Sequence, residues 1–192
     1  MELRAAVADG LMCHLAILDL RSGLSYRGNM TSERTVHILR HAHSSWAVPG
    51  QRDHQRVLDD RGRADAVRMA EEAHAIGSRV GMVVCSTAVR ARQTLDLFRR
   101  ALPQDVPVRF SDELYALGRA AYVGEIDAFV GPGELLLVGH NPTIEDLALH
   151  LCEGDETSQR LLRSGVGTSN WLTIDLNAGT SQRGRLRVLL KP

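Results

Sequence analysis

The sequence predicts an α/β fold in three layers: a mostly parallel sheet with helices on both faces. Three observations lead there. Apolar runs of strand length recur at 36–39, 80–85, 106–110 and 134–138, and the run at 80–85 is nearly uninterrupted, as in a parallel strand covered on both sides. Segments of helical character separate these runs. The 192 residues, 44% of them hydrophobic and 24% charged, supply enough apolar material for one domain with a proper core.

The elements follow in order. Val36 to Leu39 is the first strand, with Arg40 and His41 at its C-terminal tip. Trp46 to Arg56 contains Pro49-Gly50 and mixed charge and reads as a loop. Asp59 or Asp60 caps a helix from about Arg61 to Ile76, with Ala64, Val67, Met69 or Ala70, and Ala73 at helical spacing; Gly77 stops it. Val80 to Cys85 is the second strand, and Ala88 to Ala101 a helix ended by Pro103. Val106 to Phe110 makes a third strand. Asp112 to Val130 holds two short helical pieces broken near Gly118 and Gly124, and Gly131-Pro132-Gly133 turns the chain into the strand Glu134 to Val138. Asn141-Pro142 reads as cap and first-turn residue of a helix reaching about Leu151. Thr168 to Leu176 and Arg185 to Lys191, separated by a turn over 179–184, read as paired strands at the sheet edge.

Residues 1–30 differ from the rest and are expected to be an appendage to a domain of residues 31–192. The apolar stretch Leu11 to Leu20 is interrupted by His14 and Asp19, is too short to cross a bilayer and precedes no small-residue cleavage pattern. Neither a signal peptide nor a lipid anchor is expected. Lys plus Arg balances Asp plus Glu at 23 each, so no overall basic field exists to recruit nucleic acid or an anionic membrane. Neither is expected as a partner, and any anion site must be built locally. Cys13, Cys85 and Cys152 are odd in number and lack C-x-x-C spacing, which disfavours a disulfide framework and a cysteine zinc site. A cytoplasmic setting is expected.

The chemistry lies at the strand ends. Parallel strands ending at Arg40-His41, at Val83-Val84-Cys85-Ser86 leading to Arg90, and at Val138-Gly139 leading to His140 would bring two histidines and two arginines to one crevice, where open α/β sheets bind ligands. A neutral imidazole attacks phosphorus through one nitrogen when the other holds a proton, usually given to a carbonyl or carboxylate. Phosphoryl transfer spreads charge over three equatorial oxygens, so catalysis is largely positioning and cationic stabilisation. Arg40, Arg90 and a protonated or hydrogen-donating His140 would provide it. His14, His54, His74 and His150 are read as surface or packing residues, and Trp46 and Trp171 as core or edge packing rather than substrate contacts. His37, His41 and His43 alternate along the first strand, but no carboxylate or cysteine completes a ligand set nearby, so no metal is expected.

Leu39-Arg40-His41-Ala42-His43-Ser44 resembles the nucleophile signature of the histidine phosphatase superfamily, which has a phosphoglycerate-mutase-like fold. Cys85 to Thr94 and Val138-Gly139-His140-Asn141-Pro142 resemble its second and third signatures. Asp53 to Leu58 with Arg61-Gly62-Arg63-Ala64 is similar to the segment before the first helix in the short phosphohistidine phosphatase, or SixA-type, branch. The resemblance implies that His41 is the nucleophile, that Arg40 and Arg90 clamp the phosphate, that His140 contacts the transferred phosphoryl group, and that no cofactor is needed. It departs from the family at Ala42, where glycine is usual, and at Ala116, the position at which mutase-like branches carry a glutamate that protonates the leaving alcohol. Glu113 and Asp112 are the candidate substitutes. The expected activity is phosphatase chemistry through a phosphohistidine intermediate, on a phosphohistidine-bearing protein. The alternatives are a small phosphorylated metabolite as substrate, or a non-catalytic phosphate-binding module.

Overall fold

The structure is a computed structural model, and it describes residues 34–46, 49–177 and 183–192. The expectation for residues 1–30 lies outside the described residues. Six strands form one sheet: β1 (Arg34–Arg40), β2 (Val80–Ser86), β3 (Val108–Ser111), β4 (Glu134–Gly139), β5 (Trp171–Leu176) and β6 (Arg185–Leu190). Their order is β3-β2-β4-β1-β5-β6, with β3, β2, β4 and β1 mutually parallel and β5 antiparallel to both neighbours. The helices are α1 (Asp60–Ala75), α2 (Val89–Phe98), α3 (Glu113–Ala116), α4 (Arg119–Ala128), α5 (Thr143–Leu151) and α6 (Glu156–Leu162).

Alternation along the strands divides the core in two. Leu136 and Val138 of β4, with Val83 and Cys85 of β2, pack against Ala66, Met69 and Ala70 of α1 and Leu95 and Phe98 of α2. Leu135 and Leu137, with Val36 and Ile38 of β1, pack on the other face against Tyr122 and Ile126 of α4 and Ile144, Leu147 and Leu151 of α5. Both faces are thus covered, as the uninterrupted apolar runs required.

Several local expectations are corrected. The buried stripe of α1 is Gly62, Ala66, Met69, Ala70 and Ala73; Ala64 is exposed and Val67 only half-buried, because Asp59 caps the helix by accepting from the Gly62 N–H and so sets its phase. Helix α4 runs unbroken through Gly124, since burying Tyr122 and Ile126 outweighs the cost of about 1 kcal/mol for an interior glycine. Helix α5 begins at Thr143 rather than on Asn141, whose side chain donates instead to Glu145 Oε1 (2.7 Å) and the Val166 carbonyl (3.0 Å). Helix α6 was not anticipated. It has seven residues and buries only Ser158 and Leu162, too little for a readable apolar period, and Asp155 caps it. Residues 168–170 do not join β5; they bend back onto the end of β1, where the Ser169 N–H donates to the His41 carbonyl (3.2 Å) and the Asn170 carbonyl accepts from the Arg40 N–H (3.1 Å). Among the described residues no helix is long and apolar enough to cross a membrane.

Candidate active site

Strands β1, β2 and β4 are parallel and in register, so their C-terminal ends reach one edge of the sheet together. His41 leaves β1 there with its N–H on the Gly139 carbonyl (3.0 Å), which holds it beside the neighbouring strand end that carries His140. The two imidazole rings lie 4.9 Å apart. Arg90 enters from the first turn of α2, directly after β2. The packing that fixes this edge is tight. A Cβ at Gly62 would fall 1.9 Å from the His43 carbonyl oxygen, and one at Gly139 would fall 1.8 Å from the Tyr122 hydroxyl. Both positions require glycine for close approach, which places the first turn of α1 against the segment following His41. Ala42 is fully buried, is not among the positive-φ residues, and gives its N–H to Thr94 Oγ1 (2.9 Å). Its Cβ is therefore accommodated.

Two contacts define the state of His41. Its Nδ1 lies 2.8 Å from the Ala42 carbonyl, and its Nε2 accepts from Arg90 Nε–H at 3.2 Å. A carbonyl can only accept and a guanidinium can only donate, so Nδ1 carries the proton and Nε2 presents a lone pair. Burial lowers the His41 pKa to about 3; the Ala42 carbonyl opposes this shift, and Arg90, Arg40 and Arg56 reinforce it. The ring is neutral at pH 7, which the nucleophilic role expected of it requires.

His140 gives its Nε2 to the Ser86 hydroxyl (2.8 Å). Burial, then the neighbouring His41 and Arg90, lower its pKa to about 2, so the ring is neutral rather than protonated and can donate through only one nitrogen. Arg40 donates through one terminal nitrogen to the Val166 carbonyl (2.5 Å). Burial lowers its pKa while Glu145 opposes the shift. Among the described residues, the buried side-chain polar atoms without a protein partner are Arg40 Nε, His140 Nδ1, Asn141 Oδ1, Ser169 Oγ and, far away in the chain, Ser78 Oγ. Buried polar groups are ordinarily paired. Their concentration in residues 40, 140, 141 and 169, all at this sheet edge, marks it as built to receive a polar ligand.

Asp53 is the residue that the sequence reading did not place in the site. It lies on a single 3-10 turn, Asp53–Gln55, in the segment read as loop. Its carbonyl accepts from Arg90 (2.7 Å), its Oδ2 from Arg90 (2.9 Å) and the Tyr115 hydroxyl (3.0 Å), and its Oδ1 from Arg56 (3.0 Å). Partial desolvation works against ionisation, but hydrogen bonds from Arg56, Tyr115 and Arg90 prevail and bring its pKa down to about 2. Its signal in the sequence was the likeness of Asp53 to Leu58 to the SixA-type segment, which gave Asp53 no role.

His54, read as a surface or packing residue, belongs to this neighbourhood. Its Nε2 lies 2.9 Å from the Thr87 hydroxyl, which donates to Asp112, and its ring meets Tyr115 edge-on at 4.9 Å. Tyr115 in turn meets His140 edge-on at 5.6 Å. Trp46 is 85% exposed, with the Arg56 guanidinium 4.7 Å above its ring, so it is a rim residue and not a packing one; Trp171 is buried and stacks on Phe98. Of the candidate acids, Asp112 is engaged by Thr87, and Glu113 opens α3 on the exposed side. Histidines 37 and 43 diverge from His41: His37 is buried between Thr173 and Glu134, and His43 pairs with Asp59. Carboxylates do lie near the alternating histidines, contrary to the sequence reading, but each serves a different ring. No cluster of three potential metal ligands occurs among the described residues.

The chain and its fold have counterparts among known proteins. The family model of the histidine phosphatase superfamily (branch 1) matches residues 36–117. An uncharacterized protein of Mycobacterium tuberculosis is 38% identical over 151 residues, covering 71% of this chain and 92% of that protein. Among solved structures, a proposed phosphohistidine phosphatase SixA from Agrobacterium tumefaciens superposes with a TM-score of 0.74 at 34% identity, covering 83% of this chain and 98% of its own. A SixA protein from Nakamurella multipartitia, also a proposed phosphohistidine phosphatase, gives 0.72 at 27%, covering 84% and 97%.

Proposed function

The chain belongs to the histidine phosphatase superfamily, in its SixA-type branch, and is a phosphatase; from that premise we propose that His41 carries the phosphoryl group and that the substrate is a phosphorylated histidine on a protein. The observation that carries this reading is the double anchoring of His41, with Nδ1–H on the Ala42 carbonyl and the Nε2 lone pair facing the Arg90 guanidinium.

Attack by Nε2 on phosphorus breaks the bond to the leaving group and leaves the phosphoryl on a cationic His41 ring whose Nδ1–H stays on the carbonyl. Arg40, Arg90 and His140 would stabilise the three equatorial oxygens. Water then attacks phosphorus, the P–N bond breaks, its electron pair returns to Nε2, and phosphate departs.

The leaving-group chemistry supports phosphohistidine. An alkyl phosphate expels an alkoxide that needs a proton in the transition state. Position 116 offers an alanine, and the carboxyl group bound to the clamp, Asp53, is ionised down to about pH 2 and has no proton to give near neutrality. A phosphohistidine ring protonated on its remote nitrogen expels a neutral imidazole and needs no acid. The exposed Trp46, which lies against Arg56, and the partly exposed Tyr115, which binds Asp53, favour a protein surface over a small metabolite. The test is kcat/KM for a phosphohistidine peptide and a matched phosphoserine peptide. A preference for phosphohistidine of at least about a hundredfold is expected; equal values would defeat the reading and point to Glu113 or Asp112 as a working acid.

A further inference from the structure

Phosphoryl transfer from a substrate histidine to His41 is a transfer between two chemically identical rings. Each ring must hold a proton on the nitrogen remote from phosphorus, or its bond to phosphorus can break only by expelling an imidazolate anion. For His41 the protein supplies the acceptor that keeps this proton in place, the Ala42 carbonyl. The departing ring needs an equivalent acceptor on its own side of the phosphoryl group.

We infer that the Asp53 carboxylate is that acceptor, binding the remote N–H of the substrate's phosphorylated imidazole. This rests on the phosphohistidine reading above and names the group that would make the site selective for it. Three observations place Asp53 for the task. First, its Oδ2 is bound to the Arg90 guanidinium, whose Nε–H reaches His41 Nε2, so the carboxylate stands one guanidinium away from the nucleophilic atom. Second, its side chain is 52% exposed although three donors hold it, so a ring on another protein can reach it. Third, a carboxylate accepts about four hydrogen bonds. Asp53 Oδ2 takes two side-chain donors and Oδ1 takes only Arg56, which leaves Oδ1 an open acceptor position. Of the other carboxylates at this edge, Asp112 is bound to Thr87, and Glu145 to Asn141 and the Val166 N–H; neither has a hydrogen bond to Arg90 among those seen.

Electrostatics favours the same assignment. A bare carboxylate beside a phosphoryl dianion would be repulsive, but Arg56 and Arg90 flank this one and offset its charge. What remains selects a leaving group that is itself cationic, because a protonated phosphoimidazole ring gains an ion pair where a seryl or aryl oxygen gains none. In the step, the P–N bond of the substrate breaks and its pair returns to the ring nitrogen. The ring leaves as neutral imidazole with its remote N–H still donating to Asp53, and the new bond joins His41 Nε2 to phosphorus. No proton moves.

The test compares two substrates with the wild-type protein and Asp53→Asn: a phosphohistidine peptide and an aryl phosphate. The amide keeps an oxygen acceptor for the Arg90 contact but removes the charge. The phosphohistidine kcat/KM is expected to fall ten- to a hundredfold, roughly the scale of a lost charge-assisted hydrogen bond, while the aryl phosphate falls much less. Equal losses would assign Asp53 to positioning Arg90 alone and overturn the inference while leaving the phosphohistidine reading intact. A wild-type protein that cleaves the aryl phosphate but not the phosphohistidine peptide would remove both. A second measurement needs no variant: wild-type turnover of N-phosphorylimidazole, protonated on its remote nitrogen, against its N′-methyl analogue, which is permanently cationic but has no N–H. Faster turnover of the N–H form is expected, and equal rates per cationic molecule would overturn the inference.

Discussion

Arg90 Nε–H points at His41 Nε2 across 3.2 Å, while both terminal nitrogens of the same guanidinium are held by Asp53. The proposed clamp is thus held in place before any substrate arrives, and the lone pair of the proposed nucleophile faces the group that would receive the phosphoryl charge. Such preorganisation costs no rearrangement during the reaction.

Replacing the nucleophile gives the most direct outcome. His41→Ala should abolish turnover and leave the fold intact, because the ring sits at a strand tip and not within either apolar core. Acid quenching of the wild-type protein during turnover should trap an acid-labile phosphate that maps to His41. A fully active alanine variant would end the covalent mechanism.

The clamp residues should matter almost as much. Arg90→Ala and His140→Ala are each expected to lower kcat by roughly a hundredfold or more, the scale of one lost preorganised donor. Arg90→Lys should recover only part, since an ammonium cannot span His41 and Asp53 together. Near-wild-type rates in both alanine variants would show the site to be misassigned.

Stability should depend on the two buried histidines below neutral pH. Their pKa values, about 3 and about 2 in the fold, lie under the ordinary 6.5 of an unfolded chain. Between those limits the unfolded state binds more protons, so stability falls as pH drops through 6.5 towards 3. At pH 5 each ring should cost up to about 2 kcal/mol relative to pH 8. His140→Gln is therefore expected to raise Tm relative to the wild type at pH 5 and to do so less at pH 8. A Tm difference independent of pH would contradict the neutral burial of His140.

Gly62→Ala tests how the site is braced. Its methyl would meet the His43 carbonyl oxygen, a backbone atom, at 1.9 Å, so the helix start or the segment after His41 must shift. A destabilisation of about 1–3 kcal/mol or more in denaturant unfolding is expected, with a lowered kcat from the displaced nucleophile. An unchanged midpoint would show that α1 does not press on this segment.

What could be read from the sequence was what parallel-sheet geometry makes local. Strands that run the same way must leave the sheet at the same edge, so Arg40-His41, Arg90 and Gly139-His140 could be brought together from their positions at strand ends alone. The two covered sheet faces and the tail strands followed from the same local patterns. What only the tertiary structure decided came from segments with no period to read. Asp53 lies 37 residues from Arg90 and Tyr115 lies 62 residues from Asp53, on a single turn and a four-residue helix. The likeness of Asp53 to Leu58 to a family segment marks the stretch, but no local period shows that Asp53 meets Arg90 and Tyr115. The neutrality of His140 is of the same kind: a sequence shows an imidazole, but whether it carries a proton depends on the water excluded around it and on the cations packed beside it, and both exist only once the chain has folded.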